Sequence, residues 1–122
     1  MSKIRIGIVD DEEKILHMIE EYLKSSGKYE VIIFSDPLEA LEKIDNSFEL
    51  VLCDVMMPNL GGIDLSRKLL ERDEKLKIII MTAYSTLESM LKSNRAGAVD
   101  YVMKPFESLK ALEEKIALTL SL

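Results

Sequence analysis

Carboxylates follow short apolar runs at two places in this chain of 122 residues. "IGIVDDEE", residues 6–13, passes from an apolar run into four consecutive acids, and "LVLCD" ends on Asp54. Thr82 closes the run "KIIIMT", and Lys104 follows "DYVM". Strands of one parallel sheet would bring Asp10, Asp11, Asp54, Thr82 and Lys104 to a common edge. Three carboxylates within ~4 Å repel by roughly 4 kcal/mol per pair at an effective dielectric of ~20. The three pairs together reach on the order of 10 kcal/mol, comparable to the stability of a whole domain. Such a pocket must take up protons or recruit a cation. Oxygen donors with no converging His or Cys select a hard ion, Mg²⁺, with Mn²⁺ or Ca²⁺ as substitutes. Mg²⁺ keeps part of its water shell and commonly bridges to phosphate, so the metal implies phosphate chemistry.

Each residue also has a plainer reading. Asp11, Glu12 and Glu13 suit the first turn of a helix, where they cap it or complement its dipole, and that reading is preferred for the two glutamates. Asp54 suits a turn before Pro58, Thr82 suits a strand, and Lys104 suits solvent. These explanations suffice one at a time and do not account for the convergence.

The convergence depends on the elements that carry these residues. Strands are predicted over 4–9, 31–34, 50–53, 77–82 and 99–103. Several are almost entirely apolar rather than alternating, as strands covered on both faces are. Between them run helical patterns. Ile15, Met18, Ile19, Tyr22 and Leu23 recur at the 3.6-residue period, and Gly27 ends that stretch. "SDPLEAL" offers Asp36 as a cap with Pro37 at the first helical position, and "YSTLES" offers Ser85 with Glu88. A third helix falls around 63–72, and Leu109, Leu112, Ile116 and Leu120 form the stripe of a final one. Five strand–helix alternations predict an α/β fold with a doubly wound, five-stranded parallel sheet and five helices. Ligands on such sheets bind beyond the carboxyl ends of the strands, where the five polar residues fall.

The bulk properties narrow the function classes. The net charge of −6 argues against a direct nucleic-acid partner, which needs a basic face. The lone cysteine, Cys53, rules out an internal disulfide and suits a reducing cytoplasm. No stretch approaches the ~20 apolar residues of a membrane helix. The N-terminal apolar run meets acids after Val9, unlike a signal peptide. A cytoplasmic domain spanning 1–122 is expected. Nothing in the sequence separates a stand-alone protein from one domain of a longer chain.

"VDDEE", "LVLCDVMMPNLGGIDL", "IIIMTAYS" and "GAVDYVMKPF", in this order over nearly the whole chain, resemble the receiver domains of two-component response regulators, the CheY-like family. The resemblance implies a flavodoxin-like strand order of 2-1-3-4-5. It implies that Asp54 is a phosphoacceptor, a carboxylate that attacks a phosphohistidine on a histidine kinase or phosphotransfer protein and becomes an acyl phosphate. Asp11 matches the direct Mg²⁺ ligand, Asp10 a ligand acting mainly through water, and Met56 a ligand through its backbone carbonyl. Lys104 matches the lysine that pairs with the acceptor and then its phosphate. Thr82 matches a hydrogen-bond donor to the phosphoryl group, with the small Ala83 beside it. Tyr101 matches a switch aromatic that follows Thr82, and the Lys104–Pro105 bond is expected to be cis. Signalling through the face of the fourth helix, fifth strand and fifth helix would follow. The chain departs from the family pattern at Gly61 and Val99, where acids are common. Tyr84 and Met56 stand at positions that influence acyl-phosphate lifetime.

His17 is read as a surface histidine, and Cys53, Met57, Met81 and Met103 as packing residues. Two other classes fit less well. A phosphatase of the haloacid-dehalogenase type also forms an aspartyl phosphate with Mg²⁺, but its nucleophile follows the first strand in a D-x-D-x-T pattern, where this chain has "DDEEK". A flavodoxin-like flavin carrier would need a Ser/Thr-rich phosphate loop. The receiver reading predicts a switch rather than an enzyme, with self-phosphorylation from small phosphodonors and slow autodephosphorylation.

Overall fold

The apolar runs lie side by side in one parallel sheet. Its strands are β1 (Ile4–Val9), β2 (Tyr29–Phe34), β3 (Leu50–Asp54), β4 (Lys77–Thr82) and β5 (Asp100–Met103), in the order β2-β1-β3-β4-β5. Four helices occur among the described residues: α1 (Glu13–Ser25), α2 (Pro37–Lys43), α3 (Gly62–Arg72) and α4 (Leu109–Leu120). The structure is a computed structural model that describes residues 3–82, 100–104 and 108–122, with Asp100 described through its backbone. The helix predicted to open at Ser85 with Glu88, together with Ala83, Tyr84, Val99 and the Lys104–Pro105 bond, lies outside the described residues.

Side-chain alternation sorts the core into two layers. Ile6, Ile8, Leu50, Leu52, Ile79 and Met81 pack with Leu16, Ile19 and Leu23 of α1 and with Leu112 and Ile116 of α4. Val9, Val51, Cys53, Ile78 and Ile80 face the other way, onto Ala40 of α2 and Leu65 and Leu69 of α3. Helices on both faces explain why β3 and β4 read as unbroken apolar runs: both of their faces are buried.

The ends of the elements refine the sequence reading. β2 starts two residues early, at the buried Tyr29. β3 runs one residue further than predicted, so Asp54 belongs to the ladder and pairs with Met81. Asp36 caps α2 as expected, accepting from the Leu38 N–H at 3.0 Å, and Gly27 follows α1 at a φ of 75°. Ser108, not predicted as a cap, accepts from the Ala111 N–H at 2.9 Å and starts α4.

The start of α1 differs from the expectation for its glutamates. Glu12 holds the N-cap position but makes no side-chain cap hydrogen bond. Asp10 Oδ1 accepts the Glu12 N–H at 2.9 Å, which ties the start of the helix to the end of β1. Glu13 lies in the first turn, where its charge complements the dipole.

Candidate functional site

The register delivers the acids to one another. Val9 pairs with Cys53, so the next residues, Asp10 and Asp54, emerge together at the carboxyl edge. The Asp10 N–H donates to the Phe34 carbonyl at 3.1 Å, which fixes the first residue beyond β1. The Val55 N–H donates to the Met81 carbonyl at 2.9 Å, so the chain stays in line as it leaves β3. α3 then begins directly behind Asp54. A Cβ at Gly62 would lie 2.0 Å from the Asp54 carbonyl oxygen, a distance no side chain tolerates. At Gly61 the nearest atom, the Val55 oxygen, is 3.3 Å away, so the missing acid there reflects no comparable backbone demand.

Lys104 stands among the acids. Its N–H donates to the Thr82 carbonyl at 2.8 Å, which sets the backbone beside the end of β4. Its Nζ lies 2.6 Å from Asp10 Oδ2, 3.3 Å from Asp54 Oδ2 and 3.5 Å from Glu12 Oε1. Asp10 is wholly buried and Asp54 is 6% exposed. The site opens into a cavity of about 230 Å³ lined by Asp11, Glu12, Asp54, Val55, Met56, Thr82 and Lys104. Larger clefts of about 640 and 360 Å³ lie at the opposite, amino edge, around the segments that precede β3 and β4. They hold none of the strand-end groups.

The electrostatics follow from burial. Desolvation pushes the Asp10 carboxyl above its ordinary range, against the hydrogen bonds from Lys104 and the Glu12 N–H. Burial, and then the charge of Asp10, push Asp54 up as well, while Lys104 and the Met56 N–H pull it down. Burial pulls the Lys104 ammonium down, but the hydrogen bond and charge of Asp10, with those of Asp54, outweigh it and hold its pKa raised. The protein thus keeps a charged lysine beside two aspartates that resist ionisation.

Oxygens of Asp10, Glu12 and Asp54 all lie within 4.8 Å of one another. Fully ionised, the three carboxylates facing one ammonium would leave two negative charges uncompensated. An oxygen-only set with that imbalance fits a hard divalent cation such as Mg²⁺. Sequence reasoning assigned Asp11 to the set and Glu12 to helix capping. The structure places Asp11 on the cavity wall, exposed, and brings Glu12 into the carboxylate cluster. No sequence signal marks the difference, since an acid at the start of a helix is unremarkable in either role.

The remaining residues fall as follows. Met56 is 61% exposed and supplies a backbone N–H to the Asp54 carboxylate. Tyr101 pairs with Ile80, so Thr82, two residues on, shares the face of the sheet on which Tyr101 packs. Lys115 Nζ donates to the Tyr101 carbonyl at 3.1 Å and lies 5.9 Å from its ring centroid. Cys53 is a packing residue: burial pushes its thiol up to about 12, and its sulfur lies 3.3 Å from Ser66 Oγ. His17 is exposed, with Nδ1 3.6 Å from Glu20. No helix among the described residues is long and apolar enough to cross a membrane.

Known proteins resemble this chain in sequence and fold. The response regulator receiver domain family matches residues 6–117. A CheY-like receiver domain from Methanospirillum hungatei JF-1 superposes with a TM-score of 0.92 at 39% identity, covering 98% of this chain and 95% of that one. The transcriptional regulatory protein ZraR of Klebsiella oxytoca is 32% identical over 98% of this chain and 26% of its own length. The response regulator MprA of Mycobacterium sp. strain KMS is 36% identical over 93% of this chain and 48% of its own length. The chain therefore spans between about a quarter and a half of these two regulators. The phosphatase alternative finds no support in these likenesses. The strand order, the carboxyl-edge acids and the family match together identify the chain as a member of the response regulator receiver domain family, a signalling domain of two-component systems.

Proposed function

We propose that Asp54 accepts a phosphoryl group from a phosphohistidine of a histidine kinase or a histidine phosphotransfer protein. The observation that carries this reading is Asp54 lining the 230 Å³ cavity with the Lys104 ammonium 3.3 Å from its carboxylate. An Asp54 oxygen attacks phosphorus, the P–N bond breaks, an acyl phosphate forms, and the leaving imidazole takes up a proton. Asp10, Asp11, Asp54 and the Met56 carbonyl would hold Mg²⁺, with Mn²⁺ or Ca²⁺ as substitutes. When bound, that ion neutralises charge on the phosphoryl oxygens. Lys104 exchanges its carboxylate contact for a phosphoryl oxygen, and the Thr82 hydroxyl donates to another. Segment 1–122 acts as one receiver domain in the cytoplasm, self-phosphorylates from small phosphodonors and loses the group slowly. The signal leaves through a protein surface that includes β5 and α4, toward a downstream protein or output domain and without direct nucleic-acid contact.

Incubation with a small acyl phosphate and Mg²⁺, followed by intact-mass spectrometry, is expected to show one added phosphoryl group. Asp54→Asn is expected to abolish it. Undiminished labelling of that variant would overturn the assignment.

A further inference from the structure

Glu12 has no task in the reading above, yet its placement is specific. It occupies the N-cap position of α1 without capping it, and its N–H donates to Asp10 Oδ1 at 2.9 Å. Its carboxylate lies at the cavity, where Oε1 is 3.5 Å from Lys104 Nζ and an oxygen lies within 4.8 Å of those of Asp10 and Asp54. Glu13, one residue on, carries the same charge in the first turn of the helix and belongs to neither group.

We propose that Glu12 is a further residue of the divalent-cation site, the rim carboxylate that raises its affinity for Mg²⁺. Three features support this. The Glu12 oxygen is one of the three that make up the cluster, and it reaches the cavity from the solvent side, where a weakly held Mg²⁺ keeps its waters. Lys104 cannot neutralise the three acids, so the charge of Glu12 adds to the demand for a cation. The same residue also supplies the N–H that orients Asp10, so backbone and side chain serve one site. The inference rests on the receiver reading only in taking this cavity as the metal site.

The test compares the wild type, Glu12→Gln and Glu13→Gln by calorimetric Mg²⁺ titration, with thermal midpoints confirming that each variant folds. Glu12→Gln is expected to weaken Mg²⁺ binding by about 5- to 10-fold, near the lower limit for outer ligands of a metal, and Glu13→Gln to leave it unchanged. Equal affinity in the wild type and Glu12→Gln overturns the proposal and leaves the phosphoacceptor reading intact. Equal weakening in both variants also overturns it, because the effect is then diffuse charge on the helix. A wild type that binds no Mg²⁺ removes the metal site itself, and Glu12 with it.

Discussion

The Lys104 ammonium has three carboxylate neighbours, and their charges do not cancel. The consequence is a measurable pH dependence. Burial and the charge of Asp10 raise the Asp54 pKa in the folded state. Below the ordinary aspartate pKa both states hold the proton, and Asp54 costs the fold nothing. As pH rises, the unfolded chain releases its proton first, so the fold loses relative stability until the raised native pKa is passed. Metal-free wild type is therefore expected to lose stability relative to Asp54→Asn as pH rises from about 3.8, with the difference complete above the native pKa. Denaturant melts of both proteins across that range, with chelator present, check the sign. Saturating Mg²⁺ is expected to recover the difference in the wild type and not in the variant. A variant less stable than the wild type at neutral pH in chelator would show that the lysine outweighs the desolvation.

At the scale of elements, two helix starts bear different loads. α3 is pressed against the back of the acceptor strand, and a Cβ at Gly62 would collide with the Asp54 carbonyl oxygen and approach the Val55 Cα at 3.2 Å. Backbone cannot yield as a flexible side chain does. Gly62→Ala is expected to destabilise the domain by about 3 kcal/mol, the upper part of the overpacking range, and to slow phosphorylation by displacing Asp54. Chemical denaturation measures the first effect and the rate of labelling the second. α4 depends on the Ser108 cap, which is exposed and away from the acids. Ser108→Ala is expected to cost about 1 kcal/mol in the same melts, with the extent of labelling unchanged.

For the molecule as a whole, the question is how a charge added at Asp54 reaches a distant surface. Thr82 and Tyr101 share one face of the sheet, and Lys115 of α4 holds the Tyr101 carbonyl from the other side of the edge strand. A phosphoryl group brings acceptor oxygens within the cavity that Thr82 lines. Movement of Thr82 toward them is expected to open space for the Tyr101 ring and so alter the β5 and α4 surface. A partner then shifts the population only by its differential affinity for the two forms. A phosphoryl mimic is expected to perturb amide signals of residues 82–95 and of Tyr101 more than those of α2. Thr82→Ala should keep phosphorylation while losing most of the distant change. A wild-type response in that variant would place the trigger elsewhere.

The sequence by itself determined the α/β class, the bounds of β1 and β4, the cap at Asp36 and the chemical character of the strand-end residues. These follow from local physics: apolar runs without alternation demand cover on both faces, and short polar side chains satisfy helix starts. The strand order came from the family resemblance, because local pattern does not say which strands pair. Only the tertiary structure decided which acids converge. The Val9–Cys53 register set Asp10 beside Asp54, and the Glu12 carboxylate, expected to serve the helix start, lies within 4.8 Å of both. The 2.6 Å contact between Lys104 and Asp10 spans 94 residues of sequence. Separations of that kind leave no periodic trace, since they arise from how strands pair and not from any stretch of neighbouring residues.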